Sequence, residues 1–227
     1  SITGEDAKHI ARVLRMKTGQ RLTVCDTKGY DYACIIEGIT EEQIDLKVLS
    51  RSPSVTEPNV SVHLYQAMPK ADKLELIIQK AVELGVNSIT PVMTRRCVSR
   101  PDAKSMKKKL ERYNRIALEA AKQSGRGIIP QVNPLLELDQ ALRQMQQSGC
   151  PILFYENATA PARQLLQSAT GKIAILIGAE GGFDEDEVER AKVAGCSILS
   201  LGKRILRCET APLAALSIIM YETGNME

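Results

Sequence analysis

The sequence predicts an α/β protein in which a small β-rich module precedes a parallel sheet. After residue 58, strand-like apolar stretches alternate with helical patterns, as they do in chains that build parallel sheets. One stretch, residues 172–178, is almost continuously apolar and is typical of a strand buried on both faces. Residues 1–50 instead contain three strand-like stretches separated by glycine turns, which predicts the β module.

The β module is predicted to hold one helix, over residues 4–14, followed by three strands. The turns between the strands are marked by Lys28-Gly29 and by Gly38. Residues 50–58 are polar and contain two prolines, so they are predicted to be the linker. The domain boundary is therefore placed between residues 57 and 58. The predicted strands are residues 21–26, 31–36 and 44–49.

The second domain is predicted to run over residues 58–227, with strands and helices in alternation. Asp72 with Glu75, and Asp184 with Glu187, have the spacing of capping boxes at two helix starts. Pro212 suits the first turn of the last helix. The predicted strands are residues 60–66, 86–93, 151–155, 172–178 and 197–201. The predicted helices are residues 72–84, 104–123, 135–147, 162–167, 184–194 and 212–220.

Length and composition exclude several classes of protein. The chain has 227 residues, 44% of them hydrophobic, which is enough to fold without a metal or disulfide. No apolar run approaches the ~20 residues of a membrane span and no signal-peptide pattern is present, so we expect a cytoplasmic protein without a membrane partner. Because the sequence opens at Ser1 rather than Met, we expect a short leader before it.

The residues that usually hold metals or act as nucleophiles are scarce. Six cysteines are scattered without a CxxC pair, and His9 and His63 are the only histidines in the sequence. We therefore predict no metal site and reduced cysteines. The scarcity of histidine and the lack of a GxSxG motif also disfavour a Ser-His-Asp hydrolase.

Positive charge is concentrated in one part of the chain. Residues 95–126 contain eleven Lys or Arg against three acidic residues, although the net charge of the whole chain is only +3. This clustering indicates an anionic partner. A solvated helix face is the alternative, above all for the run 107–109.

A glycine-rich segment and a polar, charged segment stand at the ends of two predicted strands, where open α/β sheets bind ligands. Residues 177–183 read Ile-Gly-Ala-Glu-Gly-Gly-Phe and match neither a dinucleotide fingerprint nor a P-loop; a plain tight turn is the alternative. Residues 201–212 place Arg204, Arg207 and Glu209 beside an apolar helix, where charges are costly unless paired or used. There the alternative is an Arg207–Glu209 pair that only holds the loop.

The two segments together resemble the RsmE family of small-subunit ribosomal RNA methyltransferases, of the SPOUT class. Matches at residues 9–17, 66–73, 79–85 and 119–126 extend the resemblance over nearly the whole chain. Ala179 stands where the family usually has proline, and Cys208 where threonine is common. Neither departure removes a functional group on which the implied chemistry depends.

The resemblance implies S-adenosylmethionine-dependent methylation of uridine N3 in small-subunit (16S) ribosomal RNA. It also implies a PUA-like β-barrel at the N-terminus, a C-terminal trefoil knot and a homodimer, and its partner would be the RNA or the assembled subunit. A SPOUT enzyme acting on another RNA position or on transfer RNA, and a non-catalytic ribosome-binding module, are the alternatives.

The implied catalytic residues are Arg207, which would stabilise the uracil oxyanion or clamp a phosphate, and Glu209, which would act as a base. As a base, Glu209 would need a pKa raised by partial burial; a structural Glu209 is the alternative. The cofactor would be held by Leu153, Ile177, Gly178, Glu180, Gly181, Leu201, Gly202, Ile205, Leu206, Arg207 and Thr210.

The RNA-binding residues are predicted to be basic rather than aromatic. The sequence has no Trp, two Phe and six Tyr, so phosphate contacts rather than base stacking should supply the affinity. The candidates are Arg12, Arg15, Lys17, Lys70, Lys73, Arg95, Arg96, Arg126 and Arg204.

Overall fold

The computed structural model describes residues 1–226. It divides the chain into two compact units, Ser1–Glu57 and a second unit that begins at Pro58. Each unit has a hydrophobic core of its own. In the part of the chain that the structure describes, no helix combines the length and the apolar character needed to cross a membrane.

The first unit is a four-stranded antiparallel sheet with the order β1-β4-β3-β2. Two register shifts between β3 and β4, near Ala33 and near Ile36, bend the sheet, because a bulge increases the local twist. A short helix, α1 (Gly4–Lys8), and a π-helical turn (His9–Val13) cover it. The strands are β1 (Ile2–Thr3), β2 (Arg21–Cys25), β3 (Tyr30–Ile39) and β4 (Gln43–Pro53).

The linker predicted over residues 50–58 is wrong in its first part. β4 continues to Pro53, which pairs with Tyr30 of β3, so residues 50–53 belong to the sheet. Pro53 is tolerated because it ends the strand, where a missing N–H costs little.

The second unit is a seven-stranded sheet with the order β11-β9-β10-β5-β6-β7, in which β8 also pairs with β6. All of these pairings are parallel, so the predicted α/β class is confirmed. The knot stays a prediction. The strands are β5 (Ser61–Ala67), β6 (Ser88–Met93), β7 (Gln131–Val132), β8 (Leu136–Glu137), β9 (Cys150–Phe154), β10 (Lys172–Ile177) and β11 (Ser197–Leu199).

Helices cover both faces of this sheet and form a separate apolar core on each. One core takes buried side chains from α2, α3, α5 and α7, and the other from α4 and α6. The helices are α2 (Lys73–Glu83), α3 (Ala103–Ser124), α4 (Leu138–Met145), α5 (Arg163–Gln167), α6 (Glu185–Val193) and α7 (Ala211–Glu222).

The two predicted capping boxes have different outcomes. Asp184 and Glu187 form the box at the start of α6. The side chain of Asp72 makes no capping hydrogen bond, so that prediction is wrong. Glu75 turns away instead, and its carboxylate accepts a 2.6 Å hydrogen bond from Arg112 of α3.

Several element boundaries also differ from the prediction. The helix predicted from residue 135 begins at Leu138, because Leu136 and Glu137 pair with β6 as a short strand. The strand predicted from residue 86 begins at Ser88. The last strand ends at Leu199 rather than Leu201, which leaves a longer loop before α7.

Candidate active site

The carboxyl ends of β9, β10 and β11 open into a cavity of about 440 Å³. Its walls are the residues that follow these strands, and Lys73 at the start of α2 closes one side. The carboxyl ends of parallel strands lie at one edge of the sheet, where ligands of α/β proteins bind, and the volume suits a small ligand. We call residues 177–183 the glycine turn and residues 200–210 the closing loop.

Most of the residues predicted to hold a cofactor line this single cavity. They come from the glycine turn and the closing loop, which are far apart in sequence. They are Ile177, Gly178, Glu180, Gly181, Leu201, Gly202, Ile205, Leu206 and Arg207.

Two predicted cofactor residues lie elsewhere. Leu153 is completely buried in the core on the α4 and α6 side of the sheet, because β9 continues for one more residue before the chain reaches the cavity. Thr210 is the N-cap residue of α7, and its side chain is exposed outside the described lining of the cavity.

Besides Ala179, Gly182 and Cys208, none of which was proposed as a site residue, five further lining residues come from the ends of strands or from the start of α7. The rule that ligands bind beyond strand ends could have found most of them, since they end or follow β9, follow β11 or begin α7. They are Phe154, Tyr155, Glu156, Ser200 and Ala211.

The glycine turn folds tightly on itself. The N–H of Gly182 donates to the carbonyl of Ala179 at 3.0 Å, which closes the turn. A Cβ on Gly178 would lie 3.2 Å from Cα of Gly182, and one on Gly182 would collide with the Glu156 carboxylate. Gly182 also has φ +63°, which disfavours any residue with a side chain.

Neighbouring polar side chains hold the turn in place. The amide of Gln66, a fully buried residue, donates to the carbonyl of Gly178 at 3.1 Å. The guanidinium of Arg96 donates to the carbonyl of Gly181 at 2.9 Å. Arg95 pairs with Asp184 at 3.0 Å, so both arginines contact the turn or the helix that follows it.

A charge cluster at the edge of the cavity joins three segments. The Lys73 ammonium lies 3.1 Å from Glu180 Oε1 of the glycine turn and 3.2 Å from Glu209 Oε2 of the closing loop. The Cys208 thiol donates to the same Glu209 oxygen at 3.1 Å. Among the ion pairs described for residues 1–226, none joins Arg207 to Glu209, so the alternative of a loop held by that pair is wrong.

This cluster shifts the ionisation of all its members. The Cys208 hydrogen bond, a backbone N–H and the Lys73 ammonium lower the pKa of Glu209. The pKa of Glu180 is also lowered, since burial, which would raise it, is outweighed by hydrogen bonds from backbone N–H groups and Lys73. Hydrogen bonds to the two carboxylates raise the pKa of Lys73. Burial, and then the bond to Glu209, raise the pKa of Cys208 to about 12.

The raised Glu209 pKa that a strong general base would need is therefore not present. Glu209 is an ionised carboxylate held by a thiol and an ammonium. Arg207 lines the cavity with an exposed side chain, and its carbonyl accepts the N–H groups of Thr210 and Ala211 at the start of α7. Arg207 and Glu180 thus line the cavity, whereas Glu209 is not among its described lining residues and is joined to Glu180 through the Lys73 ammonium.

Some of the predicted RNA-binding side chains are exposed, and others are bound to groups within the protein. Arg126 is only 8% exposed, and its guanidinium donates to the carbonyls of Val82 and Val86 at 2.8 and 3.0 Å. It cannot present that group to a phosphate, so this prediction is wrong. In the first unit, Arg12 pairs with Glu41 at 2.7 Å and keeps an exposed side chain.

Other predicted RNA contacts remain exposed. Arg204 lies in the closing loop, Lys70 precedes α2, and Arg15 and Lys17 follow the π-helical turn, although Lys17 donates its backbone N–H to Gln20. Lys73 differs from them, because its ammonium is paired with two carboxylates of the charge cluster.

Two family models match the chain, one for each unit. A model described as an RNA methyltransferase domain matches residues 56–220, and one described as an RNA methyltransferase PUA domain matches residues 2–49.

Curated relatives and solved structures cover nearly the whole chain. The ribosomal RNA small subunit methyltransferase E of Bacillus subtilis is 37% identical over 98% of this chain and 90% of the relative. The protein of that name from Mycobacterium bovis is 31% identical over 100% of this chain and 87% of the relative. The crystal structure of that enzyme from Neisseria gonorrhoeae, bound to S-adenosyl methionine, is 30% identical, with a TM-score of 0.83 over 96% of this chain and 89% of its own.

Proposed function

This chain belongs to the family of ribosomal RNA small subunit methyltransferase E, and we propose that it transfers a methyl group from S-adenosylmethionine to N3 of a uridine in small-subunit (16S) ribosomal RNA. Methyl transfer to ribosomal RNA follows from the family. The acceptor atom and the roles of individual residues are the finer part of the proposal.

The single observation that carries the proposal is the meeting of the glycine turn and the closing loop in one cavity. The residues there fit the cofactor. Leu201, Ile205 and Leu206 offer apolar surface for an adenine ring, and glycine backbone allows close approach. Charged groups at the edge, Lys73 and Glu180, suit the charged aminoacyl end.

The reaction needs no metal or covalent nucleophile from the chain. When bound, S-adenosylmethionine supplies a methyl carbon that its positively charged sulfur makes electrophilic. The chain contributes orientation, because the glycine turn and the closing loop face each other across the cavity and hold both reactants between them.

Uridine N3 carries a proton at pH 7, so its removal is the difficult part. We assign Arg207 to the uracil oxygens, where its permanent positive charge stabilises the anion that develops. Glu209 is assigned as the acceptor of the N3 proton. Its lowered pKa keeps it ionised at neutral pH but makes it a weak base, so the greater share of the stabilisation falls to Arg207.

We assign RNA binding to exposed basic residues on each unit. In the first unit these are Arg12, Arg15 and Lys17, and in the second Lys70 and Arg204. Arg95 and Arg96 are partly exposed but also contact the glycine turn or the start of α6. An RNA phosphate bound at either arginine would therefore affect the residues that form the cofactor site.

We also propose that the protein works as a homodimer. The exposed apolar side chains of Ile218 and Tyr221 on α7 would favour such an interface, although a dimer is implied chiefly by the family. Sedimentation of the purified chain tests it.

The function is tested by incubating the protein with isotopically labelled S-adenosylmethionine and small subunits that lack the modification, followed by mass analysis of nucleosides. We expect labelled N3-methyluridine. Label in another nucleoside would show that the acceptor is not uridine N3. Binding of the protein to small subunits with no transfer of label would favour a non-catalytic ribosome-binding module. Transfer RNA in a parallel reaction tests whether the acceptor is ribosomal.

A further inference from the structure

We propose that Lys73 is a positioning residue of the methyl transfer: its ammonium joins the glycine turn to the closing loop and thereby fixes the two walls of the cavity. This inference rests on the proposed function and concerns a residue that the sequence analysis assigned to RNA phosphate.

The contacts of Lys73 distinguish it from the other candidate RNA-binding residues. Its ammonium pairs with Glu180 at 3.1 Å and Glu209 at 3.2 Å, and it lies 3.7 Å from the Cys208 sulfur. Its side chain is 31% exposed, against 61% for that of Arg12. A lysine held by two carboxylates has little capacity left for a phosphate.

The position of Lys73 in the chain explains why it can join the two walls. It is the first residue of α2, and α2 packs in the same core as α7, which follows the closing loop. Glu180 also accepts the backbone N–H of Lys70, at 3.1 Å. The segment before α2 therefore holds the glycine turn through its backbone as well as through the Lys73 side chain.

Charge balance shows what the ammonium does in the cluster. The two carboxylate oxygens each lie within 3.2 Å of one nitrogen, so without it two like charges would face each other beside the cavity. Repulsion would then separate the glycine turn from the closing loop. With the ammonium present, the cluster keeps one net negative charge, which suits a cationic cofactor.

The experiment compares Lys73→Met and Lys73→Arg with wild type and with Lys80→Met. Lys80 is a matched control, because it lies on the same helix and pairs with a glutamate, Glu83, three residues on. Each variant is measured for S-adenosylhomocysteine affinity by calorimetry, for kcat and KM with ribosomal RNA, and for its thermal unfolding midpoint.

We expect Lys73→Met to lose about 10- to 100-fold in kcat and to bind S-adenosylhomocysteine more weakly, because small displacements of reacting groups are costly. Lys73→Arg should recover most of both, and Lys80→Met should match wild type. A Lys73→Met protein that behaves as Lys80→Met does would overturn the proposal.

The pH–rate profile separates positioning from a general loss of structure. Glu209 is faced by Lys73 from α2, by Glu180 from the glycine turn and by the Cys208 thiol. Removing the ammonium leaves Glu180 as the main charge near Glu209 and raises the pKa of Glu209. The acid limb of the profile should therefore move to higher pH in Lys73→Met, and an unmoved limb would contradict the proposal.

A double-mutant cycle with Glu209→Gln tests whether Lys73 acts through Glu209. If it does, Lys73→Met should add much less to the kcat loss in the Glu209→Gln background than in wild type. Additive losses would refute the proposal, as would a higher KM for RNA with unchanged kcat, which is the signature of a phosphate contact. Failure of wild type to bind S-adenosylhomocysteine would instead refute the proposed function.

Discussion

Burial separates the arginines of this protein into two groups with different tasks. Arg126 is buried and donates to one backbone carbonyl in the last turn of α2 and to another in the loop before β6, whereas Arg204 is exposed at the cavity. A hydrogen bond from a charged group contributes about 1.5–3 kcal/mol.

We therefore expect Arg126→Ala to lower the free energy of unfolding by about 2–3 kcal/mol while leaving the salt dependence of RNA binding unchanged. Arg204→Ala should have the opposite profile: normal stability and a salt slope shallower by about 0.7. Denaturant unfolding and RNA titrations at several salt concentrations measure both. Equal stability of the two variants would contradict this division.

Two glycines with similar backbone angles provide a sharp test of the cavity wall. Gly182 has φ +63° and Gly171 has φ +72°, but a Cβ would meet the Glu156 carboxylate only at Gly182, and open space at Gly171. Both alanine variants should lose about 1 kcal/mol of stability from the left-handed conformation.

Only Gly182→Ala should also weaken S-adenosylhomocysteine binding, because it displaces Glu156, a residue of the cavity lining. Thermal unfolding and calorimetry on the pair measure the two effects separately. Equal affinities in the two variants would show that the Glu156 side chain moves aside without consequence for the ligand.

At the scale of elements, the starts of α6 and α2 are held in different ways. α6 begins with a complete capping box, and Asp184 also pairs with Arg95. α2 begins at Lys73 after Asp72, whose side chain makes no capping bond. One helix is thus fixed by its cap, and the other by packing and by the charge cluster.

Asp184→Ala should destabilise the protein by about 1 kcal/mol, the usual cost of losing an N-cap, whereas Asp72→Ala should be nearly neutral. Since a backbone N–H and then Arg95 lower the pKa of Asp184, its contribution is present above the ordinary aspartate pKa and is lost as the pH falls. Urea unfolding at pH 7 and at pH 3 measures this. A difference between the two variants that is as large at pH 3 as at pH 7 would count against an ionised cap.

The same elements show how far sequence reasoning reaches. Buried strands such as β10 are predictable, because a short, continuous apolar run between turn residues is typical of a strand buried on both faces. The position of the site is predictable as well, because ligands of α/β proteins bind at the carboxyl ends of such strands. β8 has only two residues, too few for any periodicity, and so it was missed. Lys73 was assigned to RNA because local sequence does not reveal a partner 135 residues away.

At the scale of the whole molecule, basic residues on both units are proposed to bind one RNA. Each phosphate contact to single-stranded RNA contributes about 0.7 to the slope of log K against log salt. Replacing Arg12, Arg15 and Lys17 together by glutamine should therefore reduce the slope by about 2 and leave S-adenosylhomocysteine affinity unchanged.

The matched control replaces Lys107, Lys108 and Lys109, which also removes three positive charges but from the surface of α3. An unchanged slope in this control would identify the run as a solvated helix face. A control that reduces the slope as much as the first triple variant does would show that loss of any three positive charges has this effect, and would contradict the specific assignment to Arg12, Arg15 and Lys17.

The strand order of the second unit has a consequence for the order in which the chain folds. β5 lies beside β10, so that Gln66 reaches Gly178 across 112 residues of chain. Contacts of such long range form late, since the entropy of closing a large loop must be overcome first. During refolding, the helical circular dichroism signal should therefore return before the affinity for S-adenosylhomocysteine does. Recovery of ligand binding would then mark the end of the last large-scale rearrangement of the chain.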